Sequence, residues 1–499
     1  MPQLCTHIAL TEDPIVSNSY LNYIDGEWVA PVFGETISNI NPADRRDVIG
    51  EFPNSTNPDA EKAIVAAQKA QTGWAALSSH ARGEFLRKAA DILETRADSV
   101  ARDLMREEGK SLPEAKGETM RGVTILRYFA IQTMLPDGDV IPSAGASTFL
   151  YSRKVPVGVA ALITPWNFPI AIPIWKAAPA LAFGNTVVLK PSELAPLTAW
   201  NIAKVFEEAG LPKGVFNVVF GHGARFGETL ATHPGVSAIS FTGSVKTGKT
   251  IAAQTVGAGK KYQLEMGGKN AAVILADADL EQAVNLTIQG AFKSAGEKCT
   301  ATSRAIVHAD IYDQFSQKLV EKTKALKIGP GDDSAAYLGP VISEQAQSNI
   351  LKAVADAQSE GIELLCGGKT EDSALANGFY VAPAVFGDVK PESRIAQEEV
   401  FGPVLCLMKA SSFENAIELL NGVEFGLSAS LFTNDLNAAM QFADKAQAGM
   451  VRINGETAGV EPQAPFGGMK ASSSWSREQG LAARDFFTQT KTISIDRAG

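Results

Sequence analysis

Cys299 is the residue of this sequence whose surroundings most favour covalent chemistry. It lies in the stretch SAGEKCTATSR (Ser294–Arg304), where small and polar neighbours are consistent with an accessible thiol. Cys366 and Cys406 lie in apolar runs and are interpreted as packing residues, the more common role of a lone cysteine. Cys5 belongs to an N-terminal tail that we expect to be mobile. Cys299 is therefore the candidate nucleophile.

A nucleophilic cysteine needs help from its surroundings. A free thiol has a pKa of about 8.5, so only a small fraction is thiolate at neutral pH. The site must therefore supply a base or positive charge. Lys298 could contribute that charge, although adjacent side chains need not point the same way.

Two glycine-rich turns could bind phosphate. Gly243–Thr250 (GSVKTGKT) matches the GxxxxGK[ST] loop of P-loop NTPases, and Asp277, which ends another strand-like run, could hold their metal ion. Gly221–Gly227 (GHGARFG) is one residue too long for the GxGxxG dinucleotide turn and could equally be an ordinary strand-to-helix turn. A helix N-terminus binds the phosphate of ATP or of a dinucleotide, so both classes of enzyme stay open here.

Four further motifs contain residues for which an ATPase has no use. A ribose-binding acid is expected where a strand ends in KPSE, because such an acid can accept hydrogen bonds from ribose hydroxyls. Loops that follow strands often carry function, and PWNF is placed in one. The four motifs are PWNF (Pro165–Phe168), KPSE (Lys190–Glu193), EMGGK (Glu265–Lys269) and EEVFGP (Glu398–Pro403).

The composition limits what these residues can serve. The chain has 499 residues, of which 45% are hydrophobic and 20% charged, with a net charge of −10. An acidic chain of this kind is not expected to bind nucleic acid or an anionic membrane, because both require a basic surface. The scattered cysteines and the five histidines show no ligand spacing, so we expect no disulfide framework and no metal site. A reducing cytoplasm fits, and the N-terminus lacks the features of a signal peptide.

The elements that must position these motifs alternate between strand and helix. Residues 59–132 show helical periodicity, and Leu135–Ser147 interrupts it with proline and glycine. Short apolar strands then alternate with helices in two series, which predicts parallel sheets covered by helices on both faces. Val155–Trp175 is free of charge, but its prolines favour a strand, a loop and a helix over a membrane span. The tail FFTQTKTISI is expected to be a strand that pairs with Thr148–Val155 or with a neighbouring subunit.

In this order, the motifs resemble the aldehyde dehydrogenase superfamily. The resemblance runs from IDGEW (Ile24–Trp28) to PFGGMK (Pro465–Lys470). It implies an α/β fold with a Rossmann-like parallel-sheet cofactor domain (residues 1–133 and 154–265) and a second α/β catalytic domain (266–470). It also implies a small β bridging element for oligomerisation (134–153 and 471–499), and a homodimer or homotetramer.

The resemblance also implies a mechanism. Cys299 attacks the aldehyde, and the Asn167 amide with the cysteine backbone N–H holds the oxyanion. Hydride transfer then leaves a thioester, and Glu265 activates water to hydrolyse it. Members that pass the acyl group to coenzyme A generally lack this glutamate, so its presence favours a free acid as product. Lys190 is expected to take part in catalysis as well as in cofactor binding.

The cofactor implied by the resemblance is NAD or NADP. Glu193 favours NAD because its charge repels a 2′-phosphate, although NADP remains open if that side chain swings away. Lys190 and Glu193 resemble contacts to the adenosine ribose, and Glu399 and Phe401 resemble contacts to the nicotinamide half. The full expected set is Ile163, Thr164, Pro165, Trp166, Lys190, Ser192, Glu193, Gly223, Gly227, Phe241, Gly243, Ser244, Glu399 and Phe401.

The substrate tunnel of the family matches a second set of positions: Arg121, Phe168, Trp175, Lys298, Thr300 and Phe466. Arg121 could hold a distal carboxylate in bidentate fashion, or it could form a weak surface ion pair with Glu118. GEKCTATSR and GGMKASSSWSREQG resemble the branch that oxidises α-ketoglutaric semialdehyde (2,5-dioxopentanoate). Alternatives are a dehydrogenase of neutral aliphatic or aromatic aldehydes, a non-catalytic protein that has kept the fold, and a P-loop NTPase.

Overall fold

The computed structural model describes residues 18–497. The strands, numbered along the chain, are β1 (Asn18–Ser19), β2 (Asn22–Ile24), β3 (Glu27–Val29), β4 (Thr36–Ile40), β5 (Val48–Pro53), β6 (Val140–Ile141), β7 (Thr148–Pro156), β8 (Val159–Ile163), β9 (Thr186–Lys190), β10 (Phe216–Val218), β11 (Ala238–Thr242), β12 (Lys261–Glu265), β13 (Ala271–Ile274), β14 (Arg304–His308), β15 (Leu364–Gly368), β16 (Ala382–Phe386), β17 (Val404–Ala410), β18 (Phe425–Gly426), β19 (Ser428–Phe432), β20 (Met450–Ile453), β21 (Met469–Lys470) and β22 (Thr488–Asp496).

The helices are α1 (Asn57–Ala76), α2 (Ser79–Thr95), α3 (Ala97–Glu108), α4 (Leu112–Gln132), α5 (Ala171–Ala182), α6 (Pro196–Glu208), α7 (Gly223–Thr232), α8 (Val245–Gly257), α9 (Leu280–Phe292), α10 (Tyr312–Lys324), α11 (Glu344–Ser359), α12 (Arg394–Gln397), α13 (Phe413–Asn421), α14 (Leu436–Lys445) and α15 (Gly480–Phe487). A short 3₁₀ turn, Lys293–Gly296, follows α9.

Two seven-stranded sheets organise the chain, with the orders β12-β11-β8-β9-β10-β2-β3 and β15-β16-β17-β14-β13-β19-β20. Neighbours are parallel from β12 to β10 and from β16 to β20. The prediction of an α/β fold with parallel sheets is therefore confirmed. The antiparallel edge strands β2, β3 and β15 were not predicted. We keep the division into domains as a proposal, which these two sheets support.

Each sheet is covered by apolar cores on both faces. In β8, Ala160 and Leu162 join one core, whereas Ala161 and Ile163 join the other. The same alternation divides β13 between two further cores. Successive side chains of a strand point to opposite faces, so a strand buried on both faces must be apolar throughout, as the run VAALI is.

The uncharged segment Val155–Trp175 is a strand, a loop and the start of a helix, as predicted. It comprises the end of β7, all of β8, the loop from Thr164 to Ile170 and the first residues of α5. Within residues 18–497, the structure has no helix of the length and apolar character needed to cross a membrane.

A third sheet, of order β22-β7-β6, contains the tail as its edge strand β22. β22 pairs antiparallel with β7 from Thr488 opposite Pro156 to Asp496 opposite Thr148, which confirms the partner predicted within the chain. The prediction was wrong for the first residues of the tail, because Phe486 and Phe487 end α15. Both phenylalanines are buried in the core beneath α5, and this burial favours their helical placement.

Candidate active site

The first functional feature is an open cleft of about 770 Å³ at the carboxyl ends of β8, β9 and β11. Parallel strands place their carboxyl ends at one edge of a sheet, where ligands bind in folds of this kind. All the expected cofactor residues except Glu399 and Phe401 line this cleft. Sequence reasoning missed Ala224, Glu228, Thr242, Lys246, Thr247, Thr250, Ile251 and Gln254.

The P-loop interpretation of Gly243–Thr250 is wrong. α8 begins at Val245, directly after its N-cap Ser244, so Gly248, Lys249 and Thr250 lie inside a helix and form no loop around a phosphate. Gly248 instead packs closely, since a Cβ there would lie 2.4 Å from Sδ of Met266. The backbone N–H groups in the first turn of α8 remain available to bind an anion.

The aspartate that could have completed a P-loop site has a different role. Asp277 follows β13 in the second sheet. Its carboxylate accepts hydrogen bonds from the Thr433 hydroxyl at 2.8 and 2.9 Å and from the Asn434 backbone N–H at 2.7 Å. Asp277 therefore fixes the turn after β19 and does not face the cleft.

One end of the cleft holds a fixed acidic group. Nζ of Lys190 lies 3.1 Å from Oε2 of Glu193, and Nδ1 of His222 lies 3.4 Å from Oε1. Burial alone would raise the pKa of Glu193, but Lys190, a backbone hydrogen bond and His222 together outweigh burial, and the pKa is lowered. Burial lowers the pKa of Lys190. Lys190 was also expected to act in catalysis, and its contacts are those of a binding group.

The cleft has unused hydrogen-bonding capacity that fits a dinucleotide. The hydroxyls of Thr164 and Thr242 are buried and have no partner within the described part of the chain. The Ser244 hydroxyl caps α8 by accepting from the Thr247 N–H at 3.3 Å. Together with Lys190 and Glu193, these groups offer donors and acceptors for ribose hydroxyls and for a pyrophosphate.

Cys299 lies in a loop whose backbone is held on both sides. Before it, Ser294, Ala295 and Gly296 adopt φ values of 54, 50 and 70°, and Glu114 accepts from the Ser294 N–H at 2.9 Å. After it, Asn270 Nδ2 donates to the Cys299 and Ala301 carbonyls at 2.8 and 2.9 Å. Sequence reasoning missed Asn270, which lies far away in the chain and carries no local signal.

The surroundings of the Cys299 thiol favour its protonated form. It is only partly exposed. Burial, followed by the carboxylates of Glu399 and Glu265, raises its pKa to about 12, while a hydrogen bond from the Thr300 N–H acts in the opposite direction. The suggested help from Lys298 is absent, because its Nζ is turned to the Gln289 carbonyl at 3.4 Å. Removing the thiol proton therefore requires a base.

Asn167 extends into the same loop. Its Nδ2 donates to the carbonyl of Glu297, two residues before Cys299, at 3.0 Å. Its Oδ1 is buried without a partner among residues 18–497. The second hydrogen of Nδ2 is free, so the amide can act as an oxyanion donor.

Glu265 ends β12 and is buried. Its Oε2 accepts from the Ser473 hydroxyl, and its Oε1 has no partner within the described residues. Burial, and then the carboxylate of Glu478, raise the pKa of Glu265 well above its ordinary value. A raised pKa brings a carboxylate closer to the range of a useful general base.

The EMGGK and EEVFGP motifs meet in space. Oε1 of Glu399 accepts from the Gly268 N–H at 2.9 Å, and a Cβ on Gly267 would lie 2.0 Å from Oε2. Glycine at 267 is therefore what allows this carboxylate to lie here. Burial raises the pKa of Glu399 to about 7. The Phe401 ring, on a backbone with φ of 54°, lies edge-to-face with Trp166 at 5.6 Å, which joins this motif to the cleft.

Aromatic side chains lie near the start of α5. The rings of Trp175 and Phe466 are 5.2 Å apart, and Nε1 of Trp175 donates to Oε2 of Glu478 at 2.7 Å. The Phe168 ring lies 4.4 Å from Nζ of Lys110. The Thr300 carbonyl accepts from the Thr457 hydroxyl at 2.7 Å, which ties the cysteine loop to residues 456–460.

The ion pair between Arg121 and Glu118 is absent, so that interpretation was wrong. Glu118 is buried and pairs with Lys110, whose Nζ lies 2.6 Å from Oε2. Arg121 donates to the Val460 carbonyl and forms no ion pair with any residue in the range 18–497. Its guanidinium is mostly buried, and burial lowers its pKa. Arg121 thus keeps donors for an acidic ligand.

Comparisons with known proteins agree with this geometry. The model of the aldehyde dehydrogenase family matches residues 28–493. The chain is 51% identical to the α-ketoglutaric semialdehyde dehydrogenase of Bacillus subtilis over 96% of its own length and 98% of that protein. It is 45% identical to the α-ketoglutarate semialdehyde dehydrogenase of Haloferax volcanii, covering 95% and 98%. The crystal structure of Staphylococcus aureus betaine aldehyde dehydrogenase with NAD⁺ superposes with a TM-score of 0.94 at 35% identity, covering 96% and 95%.

Proposed function

The chain belongs to the aldehyde dehydrogenase family and is NAD(P)-dependent, and from this premise we propose that it oxidises a semialdehyde acid, α-ketoglutaric semialdehyde or a close analogue, to the dicarboxylic acid. The observation that carries the reaction is the grouping of Cys299, Asn167 and Glu265 around one loop. The observation that carries the substrate is the unpaired guanidinium of Arg121. The names of the two relatives from Bacillus subtilis and Haloferax volcanii agree with such a substrate.

The chain's own residues perform the covalent steps. The Cys299 thiol passes its proton through water to bulk solvent, and the sulfur bonds the aldehyde carbon, giving a thiohemiacetal. Nδ2 of Asn167 and the Cys299 N–H stabilise the negative oxygen. A nicotinamide held by Glu399 and Phe401 would supply the acceptor for the hydride of that carbon. Glu265 then takes a proton from water, the hydroxide displaces the sulfur from the resulting thioester, and the free acid leaves.

Arg121 is the proposed anchor for the distal carboxylate. It lies on α4, one turn after Glu118, and Glu118 contacts the start of α5 beside Phe168. Its other contact, Val460, belongs to the segment tied to the cysteine loop through Thr457. A planar guanidinium matches a carboxylate in geometry and charge, and no acid of the described chain lies within ion-pair distance of Arg121.

Arg121→Met should lower kcat/KM for α-ketoglutaric semialdehyde by roughly 100-fold, the effect of losing one or two charge-assisted hydrogen bonds. Activity on a neutral aldehyde of similar length should change by less than about threefold. Both are measured by the appearance of reduced cofactor. Arg127→Met is the matched control, because Arg127 lies on the same helix but is exposed and pairs with Glu94. Equal losses on charged and neutral aldehydes would remove Arg121 from substrate recognition.

The proposed cofactor preference is for NAD. Glu193 is held ionised beside Lys190, where a 2′-phosphate would meet its charge. Glu193→Gln should therefore raise kcat/KM for NADP relative to NAD by about tenfold. Glu228→Gln removes the same charge from the rim of the same cleft and serves as control. A ratio that stays constant in Glu193→Gln, or that shifts equally in both variants, would contradict this role.

We also propose a homodimer or homotetramer, assembled through the β22-β7-β6 sheet. β22 is an edge strand with one side unpaired in the described chain, and Phe149 and Ile495 of this sheet are each 51% exposed. An exposed edge with apolar side chains is a typical pairing surface.

Localisation in the cytoplasm is likewise a proposal, supported by the free thiol that the reaction requires.

A further inference from the structure

A buried ion pair lies behind Asn167. Lys110, in the turn between α3 and α4, and Glu118, on α4, are 3% and 5% exposed. Nζ of Lys110 lies 2.6 Å from Oε2 of Glu118 and 3.6 Å from Oε1 of Glu108. Removing two charges from water costs free energy that their attraction often fails to return, so a buried pair is weak evidence for a stabilising role. The contacts of this pair point to another role.

Both members of the pair hold the stretch that contains Asn167. Nζ of Lys110 donates to the backbone carbonyl of Asn167 at 2.9 Å. Oε1 of Glu118 accepts from the backbone N–H groups of Ile170 and Ala171 at 2.9 and 3.1 Å. These amides open α5 and have no partner within the helix. The turn from Asn167 to Ala171 is thus fixed at both ends by one ion pair.

The side chain of Asn167 continues the same chain of contacts to the nucleophile. Its Nδ2 donates to the Glu297 carbonyl, and Glu297 lies two residues before Cys299. The path therefore runs from the ion pair through the Asn167 backbone to its amide and on to the cysteine loop. An oxyanion donor works only if it is held within a fraction of an ångström of its productive position.

We propose that Lys110 and Glu118 are positioning residues for the oxyanion donor Asn167. This inference rests on the proposed function for its catalytic meaning. In this role the pair contacts neither substrate nor cofactor. The pair fixes the backbone from which the Asn167 amide extends. Loss of the pair should therefore lower kcat, because the amide is displaced, and should leave cofactor binding unchanged.

The test is a double-mutant cycle that joins the pair variant Lys110→Met/Glu118→Gln to Asn167→Ala. Changing Lys110 and Glu118 together leaves neither of them as a lone buried charge, and glutamine retains an oxygen for the α5 amides. Glu108, which also faces Lys110 at 3.6 Å, can become neutral by taking up a proton, because burial raises its pKa to about 8. In the wild-type background the pair variant should lower kcat about 10- to 100-fold, with KM for NAD unchanged. In the Asn167→Ala background the same pair variant should lower kcat by less than about twofold. Equal losses in both backgrounds would overturn the inference.

Lys116→Met/Asp98→Asn is the matched control. This pair also joins α3 to α4, at 2.7 Å, but it is exposed and does not contact the Asn167 turn. Its removal should leave kcat within about twofold of wild type. If the Lys110→Met/Glu118→Gln variant folds poorly, the same cycle can be measured with Glu118→Gln alone in its place.

A crystal structure of the pair variant separates failure of this inference from failure of the proposed function. The inference expects the Asn167 amide to be displaced from the Glu297 carbonyl, whichever aldehyde the enzyme oxidises. An amide that keeps its 3.0 Å contact in the variant would overturn the inference. If the wild type oxidises no aldehyde, propanal included, the proposed function is refuted. The position of the Asn167 amide in the variant still tests this inference, because that position does not depend on which aldehyde is oxidised.

Discussion

Cys299→Ala is expected to abolish aldehyde oxidation, lowering kcat on the order of 10⁴-fold or more. No other described thiol can replace it, because Cys366 lies in β15 and Cys406 is fully buried in β17. The loop around position 299 is held by Asn270 and Glu114 through backbone contacts, so the fold should survive the change. The measurement is the initial rate of cofactor reduction, with thermal unfolding as a check of integrity.

Cys366→Ala is the matched control for the nucleophile. This thiol is partly buried in β15, at the edge of the second seven-stranded sheet, and its removal should leave kcat unchanged within about twofold. Binding of NAD to Cys299→Ala, followed by tryptophan fluorescence, should match the wild type, because the thiol does not line the dinucleotide cleft. Retention of more than a few per cent of the oxidation rate in a folded Cys299→Ala variant would refute covalent catalysis.

Glu265→Gln is expected to separate the two halves of the reaction. The variant can still form the thioester, so one equivalent of reduced cofactor should appear in a burst. Steady-state turnover should then fall about 10²- to 10⁴-fold, because no base activates the hydrolytic water. Rapid-mixing absorbance measures both phases. Hydroxylamine, a stronger nucleophile than water, should restore turnover in the variant, and a variant with wild-type steady-state turnover would exclude Glu265 as the base.

The pH dependence of the same variant provides an independent check. Burial and Glu478 raise the pKa of Glu265, so below that pKa the carboxyl is protonated and cannot accept a proton from water. Wild-type steady-state turnover should therefore fall as the pH is lowered through the raised value. In Glu265→Gln this part of the steady-state profile should disappear. A profile of the same shape in both enzymes would assign the titration to another group.

Local patterns predicted most of the fold. The apolar runs VGVAALIT and NTVVLK are buried strands, because a central parallel strand is covered on both faces and cannot alternate. The antiparallel edge was missed although a signal existed. Asp25 and Gly26 adopt φ values of 53 and 74° and join β2 to β3, as the dipeptide Asp-Gly does in tight hairpins.

The site was predicted as a set of motifs, whereas the contacts between them were not. Order along the chain identified Glu265 and Glu399, but only the fold shows that Gly267 makes room for Glu399. Spacing on one helix suggested Glu118 as the partner of Arg121. The true partner of Glu118 is Lys110, which approaches from the preceding turn and shares its burial. Helical spacing identifies possible neighbours, and tertiary packing decides between them.

The P-loop alternative fails for a similar reason. The spacing of glycine, lysine and threonine in GSVKTGKT matches the motif, but spacing does not tell where the helix begins. Ser244 is a strong N-cap, and its hydroxyl accepts from the Thr247 N–H, so the helix starts before the loop could form. A capping serine directly before Val245 thus indicates that most of the motif lies within α8.

The close approach of Glu399 to position 267 restricts how the protein can change by descent. A first atom of any side chain at 267 would lie 2.0 Å from Oε2 of Glu399, so a larger residue there must displace this carboxylate from its present position. During descent, a side chain at 267 is therefore accompanied by a new position of the residue-399 carboxylate, so the two positions do not change independently. Recombination that takes these distant segments from different parents keeps the present contact of Glu399 with the Gly268 N–H only when the second parent also supplies glycine at 267.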